Sequence, residues 1–395
     1  MPALDGLRIL DMTQWEAGTS CTQALAWLGA DVVKIEAPGV GDPARYTQGA
    51  EYGSYFCNWN ANKRSVTLDL KSPDGIEIFL ELAKKFDVVA ENFKAGTADR
   101  LGIGYEAVST VHPGVVYLSV SGFGNDPASP YIHRAAYASI VEGMSGIYEF
   151  KRKPGKPPAA NPVGALGDIS SALFGVVGIL AALRQRDLTG LGQRIDIAML
   201  DATMAMTDIV ANFYSLGIPD EFTSGVGIVE TFAAGEGHFV LQVVREHHFE
   251  KLAALTGNPQ WLAQDGLADR AGWMAQFESV IRPGVEAWAA DKTNREAVQL
   301  LSAEGIAAGE SNSSEEIVND DHVVARNQLV AMERPDPSEG PPVLAPGNPI
   351  RMTRLGIGPE TRVPWLGEHT DEVLAAELGF DEERLTQLRA SGVTA

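Results

Sequence analysis

The sequence predicts an α/β fold: a large domain on a parallel sheet, built from both ends of the chain, with a smaller α+β domain between them. Three observations carry this. Residues 7–35 run strand, helix, strand within about thirty residues, a βαβ unit whose strands must be parallel. Short apolar runs then alternate with helical patterns as far as about residue 216. Composition changes at the turn-rich stretch 219–227, and the Pro-rich stretch 335–349 reads as a linker returning to the first domain. The expected boundaries are 1–220 and 331–395 for the large domain and 221–330 for the small one.

Residues 7–12, LRILDM, read as a buried strand. Residues 18–29 place Cys21, Ala24, Leu25 and Leu28 at helical spacing, and 30–35, ADVVKI, form the second strand. This opening is Rossmann-like, but its first turn, TQWEAGTS, lacks G-x-G-x-x-G. No acidic residue is therefore assigned to a dinucleotide ribose, which argues against a nicotinamide enzyme; there is no P-loop either. After the polar stretch NWNANKRS (58–65), SVTLDL (65–70) reads as a third strand. Residues 73–86 are helical, with Ile76, Phe79, Leu80 and Leu82 on the apolar face. A short strand at 88–90 leads into ENFKAG, and DRLG and YEAVSTV are helix-like. VVYLSVSGFG (115–124) is a clear buried strand, and GQRIDIAMLDA (192–202) is a strand running into a helix that continues to about residue 216. Ligands of such a sheet are expected at the carboxyl ends of its strands. Further on, FAAGEGHFVLQV is hairpin-like, and helices are expected at 247–255, 275–290 and Thr370–Leu378.

At 395 residues the chain has room for two or three domains, and 45% hydrophobic with 21% charged residues is ordinary globular composition. A net charge of −21 with no basic stripe argues against nucleic acid as a partner. Local cations, Lys63, Arg64, Lys71, Lys94, Arg100 and Arg134, are candidates for an anion-binding patch. No run reaches the roughly 18 apolar residues of a membrane span. MPALDGLRIL lacks the basic region and apolar core of a signal peptide, so a cytoplasmic location is expected with no membrane partner. Cys21 and Cys57 give no disulfide framework and no zinc spacing, and read as small core residues. His112, His238, His247, His248, His322 and His369 show no ligand spacing, so no metal is assigned.

Residues 162–186, PVGALGDISSALFGVVGILAALRQR, are the most informative stretch. Gly164, Ala165 and Gly167 give a turn of little bulk, which lets a ligand approach the main chain. Ala172, Gly175, Gly178 and Ala182 recur about one turn apart in a helix apolar nearly all round, the pattern of a buried helix. Asp168 falls where this helix begins. From spacing it reads as an N-cap; the same position also suits a carboxylate at the floor of a glycine-lined pocket, beside unpaired N–H groups and the positive end of the dipole.

In order and spacing, the segments LRILDMT, TQALAWLGADVVKIE, GDPAR, NKRSVTLDLKSPDG, ENFKAGTADRLG, GALGDISSALFG, GILAAL, TGLGQRIDIAMLDA and LGEHTDEVL resemble the class III CoA-transferases. That family includes formyl-CoA and carnitine CoA-transferases, with α-methylacyl-CoA racemase as a relative, and the resemblance spans nearly the whole chain. It implies an interlocked homodimer, each chain giving a large Rossmann-like domain and a small middle domain. Asp168 falls at the transferases' nucleophile. Glu16, Ala17, Leu68 to Lys71, Asn92, Phe93, Lys94 and Arg100 fall on positions that touch coenzyme A; Arg45 of GDPAR and Arg134 join them as candidates. Coenzyme A and acyl-CoA are substrates in this reading, and no permanently bound cofactor is implied. In the implied chemistry Asp168 attacks an acyl-CoA thioester, and a mixed anhydride and an aspartyl-CoA thioester follow in turn. Covalent catalysis splits one hard exchange into easier steps, in a pocket that must exclude water, and the N–H groups at the helix start suit a developing oxyanion.

The racemase is the alternative, since it shares the fold and keeps an Asp here. Its pattern has a His eight residues before the Ser of a Ser-Gly pair. Ser145-Gly146 sets that register, and the position is Tyr137, a poor base near neutrality with a reference pKa of about 10. His133 is four residues off. Tyr137 stands with Asp168 and Glu16 as the candidate catalytic set. A second alternative is a subunit of a heteromeric transferase, against which the presence of Asp168 argues. Glu16 stands where formyl-CoA transferase has Gln, which should disfavour a small dianion such as oxalate by like-charge repulsion. Ala37 stands where that enzyme has an Arg. Its glycine-rich closing loop has no clear counterpart beyond TSGVG (223–227).

Overall fold

Six parallel strands form the main sheet: β1 (Arg8–Asp11), β2 (Asp31–Glu36), β3 (Lys63–Thr67), β4 (Val88–Glu91), β5 (Val116–Ser121) and β6 (Gln193–Ala198). Their order is β3-β2-β1-β4-β5-β6. The computed structural model describes residues 2–49, 53–149, 155–160, 165–218, 227–334, 340–354, 358 and 361–395. Gly164 and most of the TSGVG stretch lie outside the described residues.

Alternation along the strands covers both faces, as a parallel sheet requires. On one face Leu10, Val33, Val66, Val89 and Tyr117 meet Phe79, Leu82, Val373, Leu374 and Leu388. On the other, Ile9, Val32, Val88, Val116 and Leu118 meet Cys21, Leu25, Ile179 and Ala182. Every residue of β4 and β5 is buried.

The C-terminal residues are stitched to β3. His369 Nδ1 accepts the Ser65 N–H at 3.2 Å, and Thr67 Oγ1 donates to the Ala395 carbonyl at 3.0 Å. The expected helix Thr370–Leu378 forms, followed by a second at Glu382–Ala390 that the hydrophobic pattern does not announce.

Several elements differ from expectation. The third strand is Lys63–Thr67 rather than 65–70, because Lys63 and Ser65 turn inward to buried carboxylates and read as polar only in sequence. The helix expected to reach 216 breaks into Met199–Ala205 and Asp208–Ser215. The Pro-rich stretch contains a strand, Val343–Pro346, paired antiparallel with Leu329–Met332.

The Leu166–Thr189 helix packs by a stripe of small residues, Gly167, Ser170, Ser171, Ala172, Gly175 and Ala182. A Cβ on Gly175 would lie 3.0 Å from Cys21 Sγ, and one on Gly178 3.0 Å from Ile195 Cγ2, so glycine sets how closely the helix approaches its neighbours. Burial is one-sided: Leu173, Phe174, Val177 and Leu180 remain exposed, against the all-round burial the sequence predicts. Among the described residues this is the one helix long and apolar enough to cross a membrane, although the sequence stretch by itself looks too short; its small-residue face packs on the sheet layer.

A buried ionic cluster joins β1, β2 and β3. Lys63 Nζ reaches Asp11 Oδ2 at 3.1 Å and Asn60 Oδ1 at 3.0 Å; Lys34 Nζ reaches Asp42 Oδ2 at 2.9 Å and the Thr13 carbonyl at 2.6 Å. Lys63 is therefore not a surface cation, and burial pushes its ammonium down to about 8.

The chain divides into two compact units. The described residues of Met1–Arg152, Lys156–Leu216 and Asn327–Ala395 make one; those of Gly217–Arg326, with Gly155, make the other. The second unit is a three-stranded antiparallel sheet of Ile228–Ala233, His238–Val243 and Ala307–Glu310 under helices that include Glu246–Leu255 and Asn294–Ala303. Phe249 stacks on Trp273 at 4.3 Å and on Trp261 at 6.0 Å in its core. The helix expected over 275–290 is three pieces, Arg270–Ala275, a π turn at Phe277–Ile281 and Arg282–Ala289; Pro283 is the second residue of the last, in the first turn where a missing N–H is tolerated.

Candidate active site

Between β1 and β4 the strand order reverses, the point where open α/β sheets bind ligands. A cleft of about 490 Å³ opens there, at the carboxyl ends of β1, β4 and β5. The turn after β1 supplies Trp15, Glu16 and Ala17, the loop after β4 Asn92, Phe93 and Lys94, and the end of β5 Ser121 to Phe123. Arg134, Tyr137 and Asp168 close it.

The turn after β1 is held from two sides. Asn92 clasps Gln14: its Oδ1 accepts the Gln14 N–H at 2.8 Å and its Nδ2 donates to the Gln14 carbonyl at 2.7 Å. Asp42 Oδ1 accepts the Trp15 N–H at 3.2 Å. Trp15 is left-handed, with φ 62°, a conformation a bulky residue keeps only when its surroundings impose it. Gly18 admits the tight return, since a Cβ there would sit 2.3 Å from Thr13 Cγ2. The result is a buried Glu16 at the start of the Ala17–Trp27 helix, with no side-chain capping bond. Burial pushes its carboxyl up to about 7, against the lowering pull of the nearby Trp59 indole N–H.

Asp168 is the third residue of the Leu166–Thr189 helix; the cap position is Ala165, whose own side chain makes no capping bond, so the N-cap expectation for Asp168 does not hold. The capping role falls to Glu142, a fully buried residue of the Ala138–Met144 helix. Its Oε1 accepts the Gly167 N–H at 3.1 Å and its Oε2 accepts the Tyr148 hydroxyl at 2.7 Å. One of the N–H groups expected to serve an oxyanion is thus already engaged. Asp168 is half-buried, and burial, with the negative charges of Glu16 and Glu142, pushes its carboxyl up to about 7. No cation is among the groups that shift it.

A carboxylate of this kind, poorly solvated and crowded by like charge, is a strong nucleophile once ionised. The family model for CoA-transferase family III matches residues 4–370.

The chain belongs to CoA-transferase family III.

This transferase is 35% identical to a formyl-CoA:oxalate CoA-transferase of Streptomyces coelicolor, with 99% of each chain covered. It is 36% identical to a succinyl-CoA:mesaconate CoA-transferase of Haloarcula hispanica, over 95% of this chain and 96% of that one. Among solved structures it resembles a CaiB/BaiF family protein from Brucella suis, with a TM-score of 0.82 and 29% identity over 95% of this chain and 99% of that one. As a family III member the chain is an acyl-CoA:carboxylate CoA-transferase.

Of the residues singled out from the transferase's sequence, the structure brings Glu16, Ala17, Asn92, Phe93, Lys94, Arg134, Tyr137 and Asp168 to one cleft. Arg134 lies over the Tyr131 ring at 4.1 Å, and Tyr137 is exposed. Arg45 and Leu68 do not reach it. Arg45 is buried, with Nε and Nη2 on Glu36 at 2.8 and 2.6 Å, and Leu68 belongs to the core. Lys71 and Arg100 are exposed elsewhere than among the cleft residues. Glu142 escaped the sequence altogether; the one signal is a charged residue inside the otherwise apolar and small ASIVEGM.

Proposed function

We propose that this enzyme moves coenzyme A from an acyl-CoA thioester to a carboxylic acid by covalent catalysis on Asp168. The observation that carries the reading is the Asp168 carboxyl itself, lining the cleft from the first turn of an apolar helix with the charges of Glu16 and Glu142 bearing on it. An Asp168 Oδ attacks the thioester carbonyl, the C–S bond breaks, and CoA leaves as thiolate, giving a mixed anhydride. The thiolate attacks the Asp168 Cγ, releasing the donor acid and leaving an aspartyl-CoA thioester. The acceptor carboxylate then attacks that Cγ, the C–S bond breaks and the CoA thiolate leaves; the thiolate attacks the acceptor's acyl carbon in this second anhydride, forming the new acyl-CoA and freeing the Asp168 carboxylate. Lys94 and Arg134 at the mouth would hold the CoA phosphates, and Phe93 and Ala17 would flank the pantetheine arm.

No histidine lines the cleft among the described residues, and His133 is exposed outside it. A two-base proton exchange would have to pair Asp168 with Glu16 or Tyr137 rather than with a histidine, which supports transfer over racemisation. Glu16 in the cleft further supports an acceptor other than oxalate. The exposed Leu173, Phe174, Val177 and Leu180 support a second copy of the chain as the working partner, interlocked or not; gel filtration of the active protein reads this directly.

The test is intact mass after incubation with a panel of acyl-CoAs, trapped with hydroxylamine or borohydride. An adduct on Asp168, absent from Asp168→Ala, is expected. No adduct, together with deuterium entering the α-carbon of a 2-methylacyl-CoA in heavy water, would replace the transferase by the racemase.

A further inference from the structure

Glu142 takes no part in the steps above, yet it is the fully buried carboxylate nearest the helix start that presents Asp168. Both of its oxygens are occupied, one by the Gly167 N–H at 3.1 Å and one by the Tyr148 hydroxyl at 2.7 Å. The geometry points to Glu142 as a positioning residue that acts through Asp168: it holds the first turn of the nucleophile's helix, and its negative charge favours acylation of Asp168 over the free carboxylate. This rests on the reading of Asp168 as the nucleophile.

Charge bookkeeping gives the reason. Before attack, the ionised Asp168 carries its charge beside Glu142 and Glu16, with burial weakening solvent screening. Attack forms the Oδ–C bond and breaks C–S, so the charge moves from Asp168 to the CoA sulfur. Anhydride and thioester are both neutral at Asp168, and the repulsion is relieved in each covalent state. The same Glu142 carboxylate lies at the helix N-terminus, where its charge opposes the dipole that would otherwise calm Asp168. The groups that bear on Asp168 are Glu16 and Glu142, while Lys94, Arg134, Tyr55 and Tyr137 line the surrounding cleft. The conventional alternative is that Glu142 is a helix cap and nothing more.

Glu142→Gln separates the two. Glutamine Oε1 can accept from Gly167 as before, and its Nε2 can donate to the Tyr148 hydroxyl oxygen in a bond of reversed direction, but it carries no charge. The measurement is the pH dependence of trapped Asp168 adduct with an acyl-CoA, compared with wild type and Tyr148→Phe. We expect the acid limb of Glu142→Gln to move down by about one pH unit and its equilibrium adduct at pH 8 to fall several-fold, up to about tenfold. Tyr148→Phe, which keeps the charge, should retain the wild-type limb. An unmoved limb in a folded Glu142→Gln overturns the proposal. Should that variant not fold, Glu142→Asp withdraws the charge by one methylene, and its limb must move down by a smaller step or the proposal falls. A wild-type protein that forms no Asp168 adduct defeats the nucleophile reading and this one with it; an adduct with an unmoved variant limb defeats this one alone.

Discussion

The carboxylate of Glu142 accepts the backbone N–H of Gly167 at 3.1 Å, one residue before Asp168 and from a different helix. A buried acid thereby caps the helix that carries a second acid, while Glu16 presents a third from the turn after β1. Like charges gathered in this way cost stability, and each member has a measurable consequence.

Asp168 should destabilise the fold at high pH. Its folded carboxyl is pushed up from 3.8 to about 7, so the protonated form's advantage is full below about pH 4 and is lost as pH rises through 7. Asp168→Asn, neutral throughout, should be more stable than wild type at pH 8 by roughly 2 kcal/mol, allowing for partial exposure, with the gap closing toward pH 4. Urea midpoints at both pH values test this. A gap that is absent at pH 8 would show that the ionised Asp168 is not strained.

Glu16 should make the choice of acceptor depend on pH. Below about 7 its carboxyl holds a proton; above, it is charged and repels a small dicarboxylate. CoA transfer to oxalate should weaken between pH 6 and 8 in wild type, measured against a monocarboxylate acceptor. Glu16→Gln should flatten that trend and gain about tenfold with oxalate at pH 8, about 1.4 kcal/mol. Equal oxalate use by both proteins at pH 8 would remove Glu16 from specificity.

Asn92 spends both polar ends on Gln14, so its substitution should act on the turn rather than on CoA. Asn92→Ala is expected to lower kcat at least tenfold by loosening the Trp15–Ala17 turn that lines the cleft, with the KM for acyl-CoA changing less than threefold, and to cost about 1–2 kcal/mol of stability. A rise in KM at constant kcat would identify a direct CoA contact instead.

Gly122 has no room for a methyl group: a Cβ there would lie 2.3 Å from Ala136 Cβ, on the segment that leads to Tyr137. Gly122→Ala should shift that segment, costing about 1–3 kcal/mol and narrowing the cleft. Wild-type acyl-CoA binding and an unchanged unfolding midpoint would contradict the tight approach.

How far the sequence alone reaches differs from element to element. The strands at 7–12, 30–35, 88–90 and 115–124 are legible because they are largely buried on both faces and read as mainly apolar, β-branched runs despite Arg8, Asp11, Asp31 and Lys34. β3 is displaced in the sequence pattern because Lys63 and Ser65 look like surface residues until Asp11 and Glu36, distant in the chain, are placed beside them. Arg45 misleads for the same reason: its partner Glu36 and the Pro364 carbonyl are tertiary neighbours, and an arginine in a loop looks solvated in one dimension.

By itself the sequence determined the alternation of strands and helices, the small-residue stripe at Ala172, Gly175 and Ala182, and the presence of one carboxylate at the head of an apolar helix. These are local, since periodicity and side-chain size are written along the chain. Only the tertiary structure decided that Glu142, not Asp168, caps that helix, that Asn92 and Asp42 hold the Glu16 turn, and that the helix keeps one apolar face exposed. Those facts join residues 25 to 78 positions apart or depend on which side of a helix finds a neighbour, and burial and like-charge proximity exist only once the sheet has brought the segments together.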